Sequence, residues 1–326
     1  MRNIFFYIRF YLLLWFSKKF KKEITNPINK KGWKLIFNDE FNCSKLDTTK
    51  WTTHEHSVFI KNGVAWLPEQ IFFKDGKCYL TTDKYNGPNP IEDLDGISKT
   101  IDNKSGMLCS YPALQQKYGY FEIRIKLPPG GIKYWPAFWF GTIESWPPEP
   151  DMLELMAPGD SDRLTMTYHW LDDKPNWDKI WQTINKAESL GLLPEILLTV
   201  NENIKKMQEL QSDYKTYLAE RQIYIDEIIK LRIHKQYGKG LSGFNWGEHY
   251  HTFAFEWNEK RMTWYIDNVA VFSLGENQWV NFDKRIQLPE YPLYLMINNG
   301  ACPGYSFKPD EVPMTMPVDY CRVYKK

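Results

Sequence analysis

The sequence lacks an excess of charge of either sign. Its 326 residues include 41 basic and 40 acidic side chains, which gives a formal net charge of +1. A nucleic-acid binder usually carries a strong basic excess, and a disordered tail usually combines high net charge with few aromatics. The balanced charge therefore excludes a uniformly basic or acidic protein, and we expect no nucleic-acid partner.

Cysteines are few, and no two of them form a CxxC pair. This absence excludes a zinc ribbon and a thioredoxin-type redox site. A chain of this length also buries enough apolar surface to fold without a covalent staple. We expect mostly buried free thiols. The alternative, for an exported protein, is one disulfide. The five cysteines are Cys43, Cys78, Cys109, Cys302 and Cys321.

The sequence contains no apolar run long enough to cross a bilayer. The longest candidate, Ile4 to Phe16, has 13 residues and is interrupted by Arg9. As a helix it would span roughly 20 Å, short of the roughly 30 Å hydrocarbon core. Lysines follow it, rather than the small residues of a signal-peptide cleavage site. Residues 1–25 therefore predict a membrane-targeting segment, which is either a secretory signal or an interfacial anchor that binds the membrane through residues 1–22. The expected location is secreted or membrane-associated.

Aromatic residues are abundant, at 16% of the chain. Such chains are usually rich in β-structure, and aromatic rings also stack on sugars or bases. The clearest strand is Tyr118 to Leu127, where polar and apolar residues alternate with period two before a Pro-Pro-Gly-Gly turn. Similar short runs occur at His251 to Trp257, Arg261 to Asn268, Tyr291 to Asn299 and Val318 to Tyr324. The pattern predicts an all-β antiparallel sandwich or barrel.

Residues 172–242 break this pattern. Apolar residues such as Ile204, Met207 and Leu210 recur at three- and four-residue steps, and no glycine or proline occurs between Pro194 and Gly238. The spacing predicts one or two amphipathic helices from about Glu195, and therefore a helical insertion at 172–242 within a domain that spans 33–326. The apolar stripe must be covered, either by the chain itself or by another copy in a homo-oligomer.

Three carboxylates lie within one six-residue stretch, shortly after Trp146. Glu149, Asp151 and Glu154 stand at positions i, i+2 and i+5. On a regular strand Glu154 would face away from the other two, but a β-bulge between Asp151 and Glu154 would bring all three to one face. Two glutamates in one cleft are what a retaining glycosidase needs as nucleophile and proton donor. An aspartate between them would orient one glutamate and raise the proton affinity of its neighbour.

The surrounding segments resemble glycoside hydrolase family 16, in its laminarinase-like branch with the bulged E-x-D-x-x-E signature. The similarity is carried by the motif and by FNDEFNCSKLDTTKW, YGYFEIRIKLPPGGIKYWPAFW, HYHTFAFEWNEKRMTWYIDN and MPVDYCRVY, in this order. It covers most of 35–170 and 244–324, and neither the N-terminal segment nor the insertion. The resemblance implies a β-jelly-roll (concanavalin A-like) sandwich.

The resemblance also implies roles for individual residues. Glu149 would be the nucleophile, Asp151 its orienting partner and Glu154 the general acid/base. The chemistry requires no cofactor, although the family often carries a structural calcium, and the matching acidic positions are Glu40 and Asp319. The residues that would bind the sugar or line the cleft, each of which could instead belong to the core, are Trp135, Trp139, Trp146, His169 and Asn298.

Pro150 departs from the family, which usually has a branched apolar residue there. Proline donates no ladder hydrogen bond and could displace Glu149 slightly. All three carboxylates remain, so we expect a retaining endo-β-glycanase acting on a β-1,3- or mixed β-1,3/1,4-glucan polysaccharide. The alternatives are a galactan-specific hydrolase, a transglycosylase, or a non-catalytic glycan-binding surface protein. The near-neutral charge argues against a heavily sulfated substrate.

Overall fold

The computed structural model describes residues 32–326 apart from 56–57, 95, 129–132, 145, 156–162, 172–233, 243–244, 281–283, 303–304 and 306. The membrane-targeting segment predicted at residues 1–25 lies outside these residues. Among the helices that the described ranges contain, none is long and apolar enough to span a bilayer.

The described residues form short strands and two single-turn 3₁₀ helices. The strands are β1 (Lys34–Asp39), β2 (Ile60–Lys61), β3 (Val64–Trp66), β4 (Ile71–Lys74), β5 (Lys77–Lys84), β6 (Ile91–Glu92), β7 (Ser98–Lys99), β8 (Asn103–Ser105), β9 (Met107–Cys109), β10 (Gly119–Ile125), β11 (Ala137–Gly141), β12 (Glu149–Glu154), β13 (Leu164–Leu171), β14 (His234–Leu241), β15 (His251–Asn258), β16 (Arg261–Ile266), β17 (Val269–Gly275), β18 (Trp279–Val280), β19 (Lys284–Arg285), β20 (Tyr294–Asn298) and β21 (Met314–Lys325). The 3₁₀ helices are Pro68–Gln70 and Pro309–Glu311.

Two large sheets account for most strands. The larger has the order β17-β16-β15-β10-β21-β5-β8-β3-β2, with β1 on β21 and β4 on β5, and the smaller has the order β14-β13-β12-β11-β20-β9. Within the described ranges β3 and β8 run parallel, and the other strand pairs are antiparallel. The prediction of an all-β antiparallel fold is confirmed.

The core lies between the two sheets. Phe121 of β10 and Phe255 of β15 belong to the larger sheet, and both contact Phe140 of β11 in the smaller one, with ring centroids 5.1 and 4.9 Å apart. All three side chains are fully buried. Apolar residues at every second position of strands from both sheets build this core, and hydrophobic burial is what holds the layers together. The molecule is therefore a sandwich.

A second apolar cluster lies on the outer face of the smaller sheet. Ala137 and Trp139 of β11 point into it, whereas their neighbour Phe138 points into the main core, as strand alternation requires. Trp66 of β3, which belongs to the larger sheet, packs into the same cluster. The β2–β3 segment therefore reaches over the outer face of the smaller sheet and forms one side of the site described below.

All five cysteines are free thiols. Cys78, Cys109 and Cys321 are buried within the sheets, where they pack as small apolar residues. Burial raises the pKa of Cys109 to about 12, which keeps this thiol protonated. The expectation of mostly buried free thiols is confirmed.

The predicted helical insertion needs a correction at its C-terminal end. Residues 172–233 lie outside the described residues, but His234 to Leu241 form strand β14, so the predicted boundary of the helical insertion at 242 is wrong. A side chain at Gly238 would place its Cβ 2.5 Å from the carbonyl oxygen of Met166. Glycine at this position lets β14 approach β13, rather than marking the end of a module.

Candidate active site

A β-bulge brings three carboxylates to one face of β12. Opposite β13, Glu149 pairs with His169, Asp151 with Thr167 and Glu154 with Thr165, so three steps along β12 match two along its neighbour. The extra residue leaves Met152 and Leu153 both buried in the main core. Glu149, Asp151 and Glu154 therefore share the outer face, and the predicted bulge is confirmed.

Pro150 is accommodated because of its position relative to the ladder. It pairs with Tyr168 on the β13 side, whereas on the other side the β11–β12 ladder ends at the Trp139–Asp151 pair. Pro150 thus lies one residue beyond the last paired position of β11, where a missing N–H is tolerated. The strand continues through Pro150 with Glu149 still in register opposite His169.

Two tryptophans hold the two glutamates. The indole N–H of Trp146 donates to Oε2 of Glu149 at 2.9 Å, and the indole N–H of Trp135 donates to Oε1 of Glu154 at 3.1 Å. Both indoles are partly exposed, so each also presents ring surface to solvent. Each hydrogen bond restrains the carboxyl group that accepts it. The structure therefore brings Trp135 and Trp146 to the carboxylates.

Asp151 lies between the glutamates and beside His169. Nε2 of His169 is 3.2 Å from Oδ2 of Asp151, and the ring of His169 lies 6.1 Å from that of Trp146. The ligand atoms of Glu149, Asp151 and His169 all lie within 4.8 Å of one another. Among the described residues this trio is compact enough to hold a metal ion, but acid/base and nucleophilic chemistry at two glutamates needs none.

Burial and mutual repulsion shift the carboxyl groups of β12. Burial, followed by the charges of Asp151 and Glu149, raises the pKa of Glu154 to about 8. Burial and then Glu149 also raise the pKa of Asp151, against the opposing charge of Lys61. A glutamic acid that keeps its proton at neutral pH is suited to general acid catalysis, and a carboxylate close to it can act as the nucleophile.

The main core fixes the backbone of β12 at Asp151. Trp264 of β16 is fully buried, and its indole N–H donates to the carbonyl oxygen of Asp151 at 2.8 Å. The bulge disturbs the ladder here, so a side chain from the opposite sheet supplies the donor that this carbonyl oxygen requires. The position of β12 therefore depends on the packing of the other sheet.

Trp139 and Asn298 are more deeply buried in the site than Trp135 and Trp146. Trp139 is 9% exposed, and its indole N–H donates to Oδ1 of Asn298 at 2.7 Å. The ammonium of Lys61 stands 4.7 Å above the centre of the Trp139 ring and covers it. In this arrangement Trp139 and Asn298 form the floor of the site. Contact of either residue with sugar stays a prediction.

The two residues predicted to bind calcium are engaged with cations of the chain. Both carboxylate oxygens of Glu40 accept hydrogen bonds from Arg322 at 2.8 Å, and Asp319 accepts one from Arg124. Calcium takes six to eight oxygen ligands, whereas in this arrangement both carboxylates face arginine side chains. The side chains as placed do not fit the ion, and a calcium site there stays a prediction.

Three residues near the site were not predicted from the sequence. Lys61 approaches from β2, Glu55 bonds to Lys61 at 3.2 Å, and Trp264 reaches β12 from the core. Lys61 precedes an Asn-Gly pair, which signals a hairpin, but nothing in the local pattern indicates what the hairpin contacts. Only the tertiary fold brings these residues to β12.

Comparison with known proteins gives a consistent assignment. Residues 208–320 match the family model of glycosyl hydrolases family 16. The chain is 24% identical over 321 residues to glucan endo-1,3-beta-glucosidase A1 of Niallia circulans, covering 90% of this chain and 38% of that protein. It is 36% identical over 235 residues to a beta-glucanase of Brevibacillus brevis, covering 72% of this chain and 59% of that protein. The chain thus spans 38% and 59% of these two relatives, less than two thirds of either.

A similar fold occurs in solved structures. SCLam, a non-specific endo-beta-1,3(4)-glucanase from family GH16, superimposes with a TM-score of 0.60 at 22% identity, covering 90% of this chain and 91% of that one. At this identity the likeness shows the fold, a β-jelly-roll sandwich. The family match overlaps the resemblance found in the sequence over residues 244–320, and the two glucanase alignments and the shared fold agree with it, so the resemblance to glycosyl hydrolases family 16 is confirmed.

Proposed function

We propose that this protein is a retaining endo-β-glycanase that hydrolyses β-1,3- or mixed β-1,3/1,4-glucan through a covalent glycosyl-enzyme. The observation that carries the proposal is the bulged strand β12, which presents Glu149, Asp151 and Glu154 on one face. A pKa of about 8 for Glu154 supports its role as the proton donor.

The reaction proceeds by two displacements. In the first, a carboxylate oxygen of Glu149 forms a bond to the anomeric carbon while the glycosidic carbon–oxygen bond breaks, and Glu154 gives its proton to the departing oxygen. In the second, Glu154 takes a proton from water, the water oxygen bonds to the same carbon, and Glu149 leaves as a carboxylate. Configuration inverts twice and is therefore retained.

Asp151 serves the nucleophile in both steps. Burial and the charge of Glu149 raise the pKa of Asp151. Of the two coupled groups, Asp151 is therefore the one that holds the proton, and Glu149 carries the negative charge. A protonated Asp151 donates to Glu149 rather than repelling it. As Glu149 loses negative charge during attack, the proton between the two groups moves closer to Asp151. No proton has to be exchanged with solvent. Trp146 keeps Glu149 aimed through the 2.9 Å hydrogen bond.

The names of the relatives support glucan as the substrate class. One is named a glucan endo-1,3-beta-glucosidase, another a beta-glucanase, and SCLam a non-specific endo-beta-1,3(4)-glucanase. The partly exposed indoles of Trp135 and Trp146 flank the carboxylates and offer the faces on which pyranose rings stack. A galactan substrate and transfer to a sugar acceptor are tested by the same assay.

The test is release of reducing ends from laminarin, mixed-linkage β-glucan, agarose and carrageenan, with product lengths and anomeric configuration followed by NMR. We expect mid-length β-glucan fragments with retained configuration. Glu149→Gln and Glu154→Gln should each lose nearly all activity, whereas Glu259→Gln, in the exposed turn between β15 and β16, should not. Binding without release on every glycan would instead indicate a glycan-binding protein, and transfer products would indicate a transglycosylase.

Two variants separate the roles of the glutamates. With an aryl glycoside, whose leaving group needs no acid, Glu154→Gln should keep its first step. With Glu149→Gln, added azide should give a glycosyl azide of inverted configuration only. The opposite pattern would exchange the two assignments.

Membrane association through residues 1–22, a secreted or membrane-associated location and self-association through the insertion are further proposals of this kind. They follow from the apolar start of the chain and from the amphipathic spacing after Glu195. Flotation with vesicles tests the first, and light scattering on the full chain tests the last.

A further inference from the structure

Lys61 enters the site at the tip of a tight hairpin. Lys61 pairs with Val64 across Asn62 and Gly63, which have φ angles of 55° and 77°. Positive φ at both central residues defines the two-residue turn that Asn-Gly favours. The turn fixes where β2 ends, and therefore where the Lys61 side chain begins.

Two contacts hold the ammonium of Lys61 over the site. Nζ donates to Oε1 of Glu55 at 3.2 Å and lies 4.7 Å above the ring centre of Trp139. Trp139 is the cross-strand neighbour of Asp151 and is itself tied to Asn298 at 2.7 Å. The ammonium thus stands over the β11 position directly beside the carboxylates of β12. Cation–π contact and the ion pair both favour a fixed location.

The charges of Lys61 and the carboxylates act on one another. The side chain of Lys61 is 44% exposed, but its ammonium lies close to the site: desolvation there opposes the charged form, and the charges of Glu55 and Glu149 outweigh it and raise the pKa of Lys61. In return, Lys61 lowers the pKa of Asp151, which burial and Glu149 raise. The charged and titratable groups around the Glu149–Asp151 pair are Glu154 on β12, His169 on β13, Tyr294 on β20, Glu55, and Lys61 on β2.

We propose that Lys61 is a positioning residue of this site, whose ammonium, held by Glu55 and Trp139, keeps one negative charge on the Glu149–Asp151 pair, as nucleophilic attack requires. The inference rests on the proposed function. It assigns Lys61 to the chain's own carboxylates rather than to the substrate, because Glu55 already bonds to the ammonium and because the ring of Trp139 lies beneath it.

The test compares Lys61→Met and Lys61→Arg with Lys50→Met, which removes a lysine from a surface pair with Asp47. The first measurement is a ¹³C NMR titration of the carboxyl groups without substrate. An opposite charge nearby changes a carboxyl titration by about one pH unit or more. We expect the step between the neutral and the singly charged Glu149–Asp151 pair to lie about one pH unit higher in Lys61→Met, and at its original pH in the other two variants.

The second measurement is the pH profile of kcat and KM on the best glucan. On the acid limb, kcat of Lys61→Met should be about tenfold lower than that of the wild type and should recover at higher pH, with KM little changed. Lys61→Arg should have the pH profile of the wild type. An unchanged titration in Lys61→Met would overturn the proposal, as would a higher KM at constant kcat, which would assign Lys61 to substrate binding. A wild type inactive on all glycans would refute the proposed function, and the titration would still decide the role of Lys61.

Discussion

Replacing Trp135 with phenylalanine should move the basic limb of the pH–rate profile to higher pH. Glu154 has a pKa of about 8 instead of its ordinary 4.5, so at pH 7 about nine tenths of it carries the proton, about 300 times the fraction of an ordinary glutamate. The indole N–H of Trp135, 3.1 Å from Oε1, stabilises the ionised form and holds this pKa down. A hydrogen bond to a charged group contributes about 1.5 kcal/mol or more, so its loss should shift the limb by about one pH unit.

The assay is kcat/KM on a soluble β-glucan oligosaccharide from pH 5 to pH 10. We expect the basic limb near pH 8 in the wild type and near pH 9 in Trp135→Phe, with a lower plateau if the smaller ring also stacks less well on sugar. The control is Trp146→Phe, which loses a bond to Glu149 and none to Glu154, and should leave the basic limb in place. A Trp135→Phe limb that stays near pH 8, moves to lower pH, or moves equally in both variants would refute the reasoning.

Three further outcomes follow from the structure. Trp264→Phe removes the buried donor to the carbonyl oxygen of Asp151 and should reduce the free energy of unfolding by about 1–3 kcal/mol in urea titrations, with kcat falling more than KM rises. Gly238→Ala should be destabilised by about 1–3 kcal/mol, because its Cβ would meet a β13 carbonyl oxygen at 2.5 Å, whereas Gly275→Ala, with its nearest neighbour at 3.5 Å, should not. The folded state raises the pKa of Glu154 from 4.5 to about 8, so the stability that its proton supplies is lost as pH rises from 4.5 to 8. Glutamine stays neutral at every pH, so the gain in Tm of Glu154→Gln over the wild type should be larger at pH 9 than at pH 4.

The carboxylate strand could be predicted because its determinants are local. The i, i+2, i+5 spacing of Glu149, Asp151 and Glu154 needs one extra residue to place them on a common face, and the observed register contains it. The tryptophan that bonds to Glu149 lies three residues before it in the sequence. The alternation of residues in β10 and β15 with period two likewise predicts which side chains point into the core between the sheets. Information of this kind survives in a single sequence.

Other parts of the site depend on contacts between distant segments. Lys61 precedes β12 by almost ninety residues, and Trp264 follows it by more than one hundred. The local sequence around either residue does not reveal its role, because that role depends on which strands become neighbours. The end of the insertion was misplaced for a related reason: Gly238 is a strand glycine that tolerates close approach, although glycine in sequence more often marks a turn.

The pairing of β13 with β14 has a consequence for how the chain can be modified. Leu171 and His234 are direct cross-strand partners, so the chain leaves the sheet and returns to it at adjacent points. Whatever lies between them joins two ends that the ladder already holds together, and loop-closure entropy grows only slowly with length. The junction is therefore a graft point. Because Leu171 and His234 are paired, a two-residue turn has the right span to replace residues 172–233, and we expect such an exchange to keep the β13–β14 register if it spares His234 and the rest of β14.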